Sequence, residues 1–454
     1  MGSGPVVHRR GAVLLGLSAL LSGCVSYRPA PVTPQQSLAQ LGTNQLPARE
    51  SWSQADLLAQ AISSSPSVRA KAAAYRSAVA AAKAARVPLP AALQLTAEYS
   101  HQDNPRKPWL GSGALDLPIA LGGRRNARVR EADLAVAQAR LDYLDALWAA
   151  RAAIDRATIA RTEADAALPL AIRARDMRRD RLERLQRRVQ AGEDPQALVL
   201  TARTELAAAE RRLSTVQANR RDAVLALAAQ LGVSPQQAEA IKLGTVGSPP
   251  IDANAFAGLR QEAALGRGDV LRAVSDYDQA ENALRLEVAN QYPAIRIQPG
   301  YIYERGIVKL PFGVNLQLPP IDGNKAAIRA AEKRRVEAAA KLEAAQAGVL
   351  AEVDRAQAAL TAATDAETQH QKQDVPAAHR LADAAAKSLA KGEADRIDEE
   401  AATAAALEAD LDQIDASRAA ALARADLDSA LRHTADADEA SLFAAALSRL
   451  GDMK

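Results

Sequence analysis

The chain has 454 residues and a formal net charge of +3; alanine dominates its apolar fraction of 48%, and aromatic residues make up only 3%. Large compact cores need bulkier side chains, whereas alanine favours helices and lets them approach closely, so this composition favours long helices packed side by side. The 57 basic and 54 acidic residues are interspersed, and no basic cluster alternates with aromatic residues, which gives no support to nucleic-acid binding. On composition alone, an ordinary helical bundle stays open.

The first 24 residues have the pattern of a bacterial lipoprotein signal. His8, Arg9 and Arg10 form a basic start, and residues 11–21 form an apolar stretch too short to span a bilayer. The following Ser22-Gly23-Cys24 resembles the end of a lipobox, which predicts a signal peptide over 1–23 and a covalent lipid on Cys24. This cysteine is the only one in the chain, so it cannot form an intramolecular disulfide. The alternative is a buried structural cysteine behind a simple signal peptide.

Residue 25 is valine rather than aspartate, which by lipoprotein sorting logic implies release to the outer membrane. No later segment supplies about twenty consecutive apolar residues, so a mature chain that crosses a membrane must do so with strands.

The chain contains an internal duplication with an offset of roughly 200 residues. The matching landmarks are Tyr75 with Tyr277, Leu115–Pro118 before Gly122 with Leu316–Pro319 before Gly323, and Gly192-Glu193 with Gly392-Glu393. We therefore predict an N-terminal linker over 24–50, repeat 1 over 51–231, a connector over 232–254, repeat 2 over 255–433 and a C-terminal tail over 434–454. A short strand is expected at 240–246 in the connector, and a weak helix is expected in the tail.

Each repeat contains two strand-like segments between helices. Repeat 1 has them at 93–101 and 109–119, joined by the proline-containing stretch 103–108, and repeat 2 has them at 294–304 and 307–318, joined through Arg305-Gly306. Including the flanking prolines, the hairpins span 93–119 and 294–319. Tilted strands of about ten residues fit a bilayer, but closed membrane barrels need about eight strands, so four per chain require an oligomer.

The long helices are predicted from spacing and from the absence of glycine. Residues 124–190 contain no glycine and, as one helix, would reach on the order of 100 Å, which is incompatible with a compact globule. Apolar residues in both repeats recur at steps of three, four and seven, as in coiled coils. Pro169 and Pro376 lie at comparable places, and each is expected to kink or break its helix.

These features together resemble the TolC-like outer membrane factors over nearly the whole mature chain. The segments 117–125 and 318–325 are similar to the family's strand-to-helix junctions, with Pro118, Gly122, Pro319 and Gly323 as the junction residues. The turns 189–193 and 389–393, centred near 192 and 392, are similar to its periplasmic helix tips. Each motif is weak alone, whereas their order and repetition carry the resemblance.

The resemblance implies an α+β membrane protein that forms a homotrimer. Three chains would build a 12-stranded transmembrane β-barrel in outer-membrane lipid and a long α-helical periplasmic barrel. Such a protein is a passive duct of a tripartite efflux pump; it works with a periplasmic adaptor protein and an inner-membrane pump, here expected to be of the RND type. No cofactor is expected beyond the lipid on Cys24. The stretch 299–306 and the Asp322–Asn324 junction resemble the heavy-metal-efflux branch more than the drug branch, although no His- or Met-rich lining supports metal selection.

The resemblance also implies two kinds of site at the tips. The acidic residues expected at the periplasmic gate are Asp398, Asp395 and Glu399, while a second gate aspartate of the family would fall at Ala401. The residues expected to dock the adaptor are Val189, Gly192, Glu193, Leu198, Leu389, Gly392, Glu393 and Ile397. In the competing interpretations the glycines only end helices and the acids only form a solvated turn.

Two other classes compete with a channel. An enzyme is disfavoured because the five histidines lack metal-binding spacing and no nucleophile motif surrounds a serine. A periplasmic coiled-coil scaffold or adaptor lipoprotein would share the long helices and the lipid anchor, but the duplicated hairpins argue against it. Near the strands, Tyr99, Trp109, Tyr301 and Tyr303 are expected to form an aromatic belt at a membrane interface or to pack between strands.

Overall fold

The computed structural model describes residues 27–42, 44–99, 108–119, 121–244, 251–304, 306–434 and 436–452. The chain divides into two units, residues 1–44 and 45–454. In the first unit, the described part contains helix α1, Pro34–Gly42. Cys24 and the predicted signal peptide lie outside the described residues, as do most of the loop 103–108 and Arg305 of the second hairpin.

The second unit contains both repeats, and their elements follow the predicted order. In repeat 1 these are α2 Gln54–Ser64, α3 Pro66–Arg86, β1 Ala92–Tyr99, β2 Trp109–Ile119, α4 Arg124–Gln190 and α5 Gln196–Leu231. The connector contains the short helix α6, Pro235–Glu239. In repeat 2 they are α7 Ala253–Gly266, α8 Gly268–Ala289, β3 Ala294–Glu304, β4 Ile307–Lys309, β5 Phe312–Gln317, α9 Lys325–Gln369, α10 Val375–Ala390 and α11 Arg396–Leu431. Helix α12, Ala437–Asp452, follows repeat 2.

The two proline positions behave differently. Helix α4 runs without interruption through Pro169, so of the predicted kink or break the break is wrong. Ala167 and Ala171 are buried on either side of the proline and pack with Leu213 of α5 and Leu411 of α11, so contacts on both turns hold the helix together. In repeat 2, a π-helical turn at His370–Asp374 separates α9 from α10, and Pro376 lies in the first turn of α10. The interruption predicted at Pro376 is confirmed as this wider turn.

The strands form one antiparallel sheet in the order β1-β2-β3, with β4 and β5 both paired to the far edge of β3. The bounds of β2 and β3 match the prediction. The predicted strand 307–318 is divided because Pro311 has no N–H to donate to β3; its carbonyl instead accepts a bond from the Gly300 N–H at 2.8 Å. Within the described part of the chain, the outer edges of β1 and of β4 and β5 pair with no other strand.

The connector is held against repeat 1 by side-chain contacts more than by strand pairing. The guanidinium of Arg161, buried on α4, donates to the carbonyls of Ala238, Glu239 and Ile241 at 2.7 to 2.9 Å. These carbonyls therefore accept hydrogen bonds from a side chain instead of from a neighbouring strand. In its described part, the strand expected at 240–246 is reduced to an isolated bridge between Leu243 and Trp52.

Helix α12 is an integral part of the fold. Phe443 is buried and stacks on Trp148 of α4, with 4.6 Å between ring centroids, in a core that also includes Tyr143 and Leu147. Beside this core, Arg151 Nε donates to Glu439 Oε2 at 2.8 Å, and both side chains are buried. The weak tail helix expected from the sequence is therefore anchored by both apolar and charged contacts.

Candidate functional site

The register of the sheet places most of the large apolar residues on one face and the charged and amide residues on the other. Side chains alternate between faces along each strand, so the pairs Leu93–Leu115, Leu117–Ile297 and Ile297–Val314 belong to one face. Along this apolar face lie Leu93, Leu95, Tyr99, Trp109, Leu115, Leu117, Ile119, Ile295, Ile297, Tyr301, Tyr303, Val308, Phe312, Val314 and Leu316. The opposite face carries Gln94, Thr96, Glu98, Ser112, Asp116, Arg296, Gln298, Glu304, Asn315 and Gln317, together with Leu110, Ile302 and Ile307 toward the hairpin ends.

The apolar face is not covered by the described part of the chain. Leu95 is 75% exposed and Phe312 is 68% exposed, and the whole of β1 is exposed to the surroundings. A contiguous apolar surface of this kind is expected to meet lipid or another protein. On the polar face, Arg296 and Asp116 form an ion pair across β2 and β3 at 2.6 Å. The sheet therefore has one face suited to an apolar medium and one suited to water.

The four aromatic residues singled out in the sequence lie on the apolar face, toward the hairpin ends of the strands. Tyr99 and Trp109 are directly opposite each other and meet edge to face, with 5.1 Å between ring centroids, while both stay more than half exposed. Tyr301 and Tyr303 pair with Gly113 and Gly111, whose lack of side chains leaves room beside the rings. Tyr99 and Trp109 thus show both of the features expected from the sequence: they pack across neighbouring strands, and they stay exposed at the end of the sheet.

The strand-to-helix junctions are turns that require left-handed backbone. Gly122 has a φ of +69° and Gly323 a φ of +67°. Pro118 pairs with Arg296 inside the sheet, whereas Pro319 follows the end of β5. The junction residues therefore set the direction in which each long helix leaves the sheet.

Both junctions are tied to the end of α8. The Arg124 guanidinium donates to the Tyr292 carbonyl at 2.6 Å, and the Asn324 amide donates to the Glu287 carbonyl at 2.8 Å. The starts of α4 and α9 are thereby fixed relative to one another at the base of the sheet.

The two tips have the same backbone turn. Gly192 and Gly392 have φ angles of +78° and +75°, and their N–H groups donate to the carbonyls of Val189 and Leu389, each at 3.0 Å. No atom outside the neighbouring residues would lie within 4 Å of a Cβ added at either glycine. The glycines are therefore required by backbone conformation rather than by a close contact.

The residues predicted to dock an adaptor differ in accessibility. Gly192, Glu193, Leu198, Gly392 and Glu393 are exposed. In contrast, Val189 and Leu389 are half-buried, and Ile397 is buried against Leu185, Val199 and Ala202 of the repeat 1 hairpin. Ile397 therefore packs the two tips of one chain together, and the exposed residues form the surface available to a partner.

The acidic residues of the predicted gate have different partners. Asp395 caps α11, accepting a hydrogen bond from the Ile397 N–H at 3.2 Å, and it forms an ion pair with Arg188 of α4. Glu399 lies 3.5 Å from Arg396. Asp398 is exposed, and within the described residues no basic side chain lies within 4 Å of it. It is thus the acid of this group most available to a solute.

Two arginines at this site were not predicted from the sequence. Arg188 contacts both Asp194 of its own turn, at 2.8 Å, and Asp395 of the other tip, and Arg184 contacts the buried Glu400 at 2.9 Å. The only signal in the sequence is the density of arginine in the last turns of α4, opposite an acidic stretch two hundred residues later. These pairs join the tip of repeat 1 to the tip of repeat 2.

The two hairpins also differ in charge. Residues 170–222 contain 13 basic and 8 acidic side chains, for a net charge of +5, whereas the equivalent residues 370–422 contain 6 basic and 11 acidic side chains, for a net charge of −5. The hairpins share one backbone plan, so this opposite charge attracts them to one another without being needed for the turns themselves.

Neither a membrane-spanning helix nor a cluster of metal ligands is found in the described ranges: no helix there is long and apolar enough to cross a bilayer, and no three His, Cys, Asp or Glu side chains there are grouped to hold a metal ion.

Comparison with known proteins identifies the family. Residues 57–233 and 259–432 match the sequence profile of the Outer membrane efflux protein family. These segments cover most of the chain, and the chain belongs to this family. No curated protein sequence matches it.

Solved structures with the same fold include a membrane protein from Pseudomonas aeruginosa, with 20% identity and a TM-score of 0.69 over 85% of this chain and 91% of that one. The outer membrane protein VceC of Vibrio cholerae has 20% identity and a TM-score of 0.67 over 84% of this chain and 97% of VceC. The MtrE outer membrane channel of Neisseria gonorrhoeae, described in its open state, has 19% identity and a TM-score of 0.66 over 85% and 90% of the two chains. The predicted fold class, long helices with a few strands as in these channels, is confirmed.

Proposed function

We propose that this outer membrane efflux protein is the passive, trimeric duct of a tripartite pump. The observation that carries the proposal is the sheet, with its exposed apolar face, its polar opposite face and, among the described strands, its two unpaired edges. Four strands are too few to close a barrel, whereas three copies joined edge to edge supply twelve. In that arrangement the apolar face meets lipid and the polar face lines a water-filled pore.

The lipid anchor forms part of this proposal. Cys24 would carry the lipid and hold the N-terminal linker at the periplasmic leaflet of the outer membrane. The partners would be a periplasmic adaptor and an inner-membrane pump of the RND type, and the pump rather than the duct would choose the substrate.

The gate is proposed at the tips. Asp398, exposed and without a basic partner within 4 Å in the described part of the chain, would form a ring of three carboxylates around the trimer axis and favour cations at the entrance. Arg188 would keep the entrance narrow by holding the tip of repeat 2, through Asp395, against the tip of repeat 1. Opening would then require this ion pair to separate.

The docking surface is proposed at the exposed part of the tips. Leu198 supplies an apolar contact, and Glu193 and Glu393 supply charges beside the two glycine turns. A partner that inserts between the hairpins would compete with the Arg188 contacts, which gives docking a direct route to the gate.

The test is the conductance of full-length protein in planar lipid bilayers. Asp398→Asn is expected to lower the preference for cations over anions. Arg188→Gln is expected to raise the mean conductance because one of the ionic contacts between the tips is removed. Arg179→Gln is the matched control, since Arg179 is an exposed arginine of the same helix whose partner, Glu210 at 4.0 Å, belongs to its own hairpin. A monomer that never conducts, even as Arg188→Gln, would instead support the scaffold or adaptor class.

A further inference from the structure

A basic cleft lies at the base of the sheet, between the end of α3 and the start of α4. It has a volume of about 580 Å³ and is lined by Arg86, Arg125, Asn126, Val129, Arg130 and Asp133. Lys83 and Arg128 lie close by in the sequence of the same two helices. With Arg124, the last turn of α3 and the first three turns of α4 thus carry six basic side chains and only two acidic ones, Glu131 and Asp133. The cleft therefore suits an anion.

The arginines are only partly occupied by protein contacts. Arg125 and Arg128 each donate one bond, at 3.0 Å, to the carbonyls of Arg86 and Val87, which end α3. Arg86 contacts Asp133 at 2.7 Å. A guanidinium has five N–H donors, so these contacts orient the arginines and leave further donors for a ligand. Arg125 and Arg130 are both exposed.

Repeat 2 shows that the turn does not need this charge. At the positions equivalent to Arg125, Asn126 and Arg130, the start of α9 has Ala326, Ala327 and Ala331. The junctions share the same left-handed glycine and the same helix start. Arg125 and Arg130 are therefore an addition to the common plan, and folding of the junction does not explain them.

Exposed apolar residues border the cleft on the side of the sheet. Val87 is 62% exposed, Leu89 and Leu121 are also exposed, and β1 begins six residues after Arg86. Exposed apolar residues thus lie in the segments that join the sheet to the two helices that line the cleft. Apolar surface that ends in a row of basic groups matches the boundary between acyl chains and phosphates.

We propose that this cleft binds the headgroup phosphate of an anionic phospholipid in the periplasmic leaflet, while Val87 and Leu89 contact its acyl chains. The inference rests on the proposed function, because only a sheet that spans the outer membrane brings the cleft to the level of the headgroups. Charge-assisted bonds from Arg125 and Arg130 would hold the phosphate. One bound lipid in each protomer would then help to fix the position of the channel along the membrane normal.

The experiment is native mass spectrometry of the full-length trimer titrated with phosphatidylglycerol or phosphatidylethanolamine. Wild type is expected to retain up to three phosphatidylglycerol molecules and to discriminate against phosphatidylethanolamine. The double variant Arg125→Gln/Arg130→Gln is expected to bind phosphatidylglycerol at least about fivefold more weakly, because two charge-assisted contacts are removed. Arg329→Gln/Arg334→Gln, which removes two exposed arginines from the first turns of α9, is the matched control and should bind as wild type does.

Several results would overturn the inference: equal binding of the two lipids, equal losses in the two double variants, or displacement by inorganic phosphate, which would make the cleft a site for a small anion. Dissociation of the trimer in Arg125→Gln/Arg130→Gln would make it a subunit contact instead. Bilayer conductance of the same samples separates the two proposals. A conducting trimer without lipid preference defeats only the lipid site, whereas a protein that never enters bilayers defeats the duct as well.

Discussion

At the scale of single residues, Gly122 combines two constraints that can be separated experimentally. Its φ is +69°, and a Cβ there would lie 3.1 Å from the Ala289 carbonyl oxygen and 3.2 Å from Tyr292 Cδ2. Gly323, its equivalent in repeat 2, has a φ of +67°, but a Cβ added there would meet open space. The two positions share the conformational cost and differ only in crowding.

We expect Gly323→Ala to destabilise the protein by about 1 kcal/mol through backbone strain, and Gly122→Ala to cost about 1–3 kcal/mol more through the added clash. Thermal unfolding of the two variants, compared with wild type in the same detergent, measures the difference. Equal losses would mean that the end of α8 moves aside freely and that crowding has no role at this junction.

A second residue-scale feature is the buried charge beside α12. Arg151, Asp155 and Glu439 are buried together, with Arg151 Nη1 3.0 Å from Asp155 Oδ2, and Asp428 lies in the same cluster. Burial raises the pKa of Asp155 to about 7, with Arg151 opposing the rise and the carboxylates of Glu439 and Asp428 adding to it. The Gln54 amide also donates to this carboxyl group.

This raised pKa predicts the direction of a pH effect. Between the ordinary aspartate value of 3.8 and about 7, the folded protein holds a proton on Asp155 that the unfolded chain has lost. The free energy of unfolding should therefore fall as the pH rises through this window, by about 1.4 kcal/mol for each pH unit, and then level off. Thermal unfolding at about pH 5 and about pH 8 tests this, and Asp155→Asn should remove most of the change. If Asp155→Asn kept the full pH dependence of the wild type, another titrating group would be responsible for it.

At the scale of elements, α12 is docked in part by one aromatic contact. Phe443 is buried against Trp148, so Phe443→Ala should cost about 3–5 kcal/mol and loosen the docking of the whole helix. Hydrogen–deuterium exchange should then speed up along α12 while α9 keeps its protection. Ser448→Ala, at an exposed position of the same helix, serves as the control. Unchanged exchange in Phe443→Ala would show that the ion pair of Arg151 with Glu439 is enough to dock α12.

The elements also show where sequence patterns are informative. The bounds of α4 were predicted because glycines flank an uninterrupted helical stretch, and those of β2 and β3 because their apolar alternation is regular. The unbroken course of α4 through Pro169 was not predicted, because it depends on contacts with α5 and α11 that no local sequence pattern encodes.

At the helix tips, too, local features were predicted from the sequence and long-range contacts were not. The glycines at the tips were predicted, since a left-handed turn leaves a local signal. The pairing of Arg188 with Asp395, which are 207 residues apart, was not, because it depends on the register between two hairpins. Burial of Ile397 has the same origin.

At the scale of the whole molecule, the opposite charges of the two hairpins make tip contacts sensitive to salt. The ion pair of Arg188 with Asp395 is more than one-third exposed, so it contributes no more than about 1 kcal/mol, and screening weakens it further. We expect hydrogen exchange at 186–200 and 388–402 to accelerate when salt is raised from about 0.1 M to about 1 M. The buried apolar core around Leu227 and Leu231 is the internal reference. Equal acceleration in both regions would point to general destabilisation rather than charge.

The interruption of the edge strand at Pro311 has a consequence before any trimer exists. A newly exported chain must cross the periplasm with its sheet edges open, and an open edge is a template for pairing with the wrong chain. Because Pro311 divides that edge into pieces of three and six residues, and Lys309 beside it is charged, a stray strand finds no long uninterrupted ladder to join. The same proline that shortens the hairpin thus protects the unassembled subunit from aggregation on its way to the membrane.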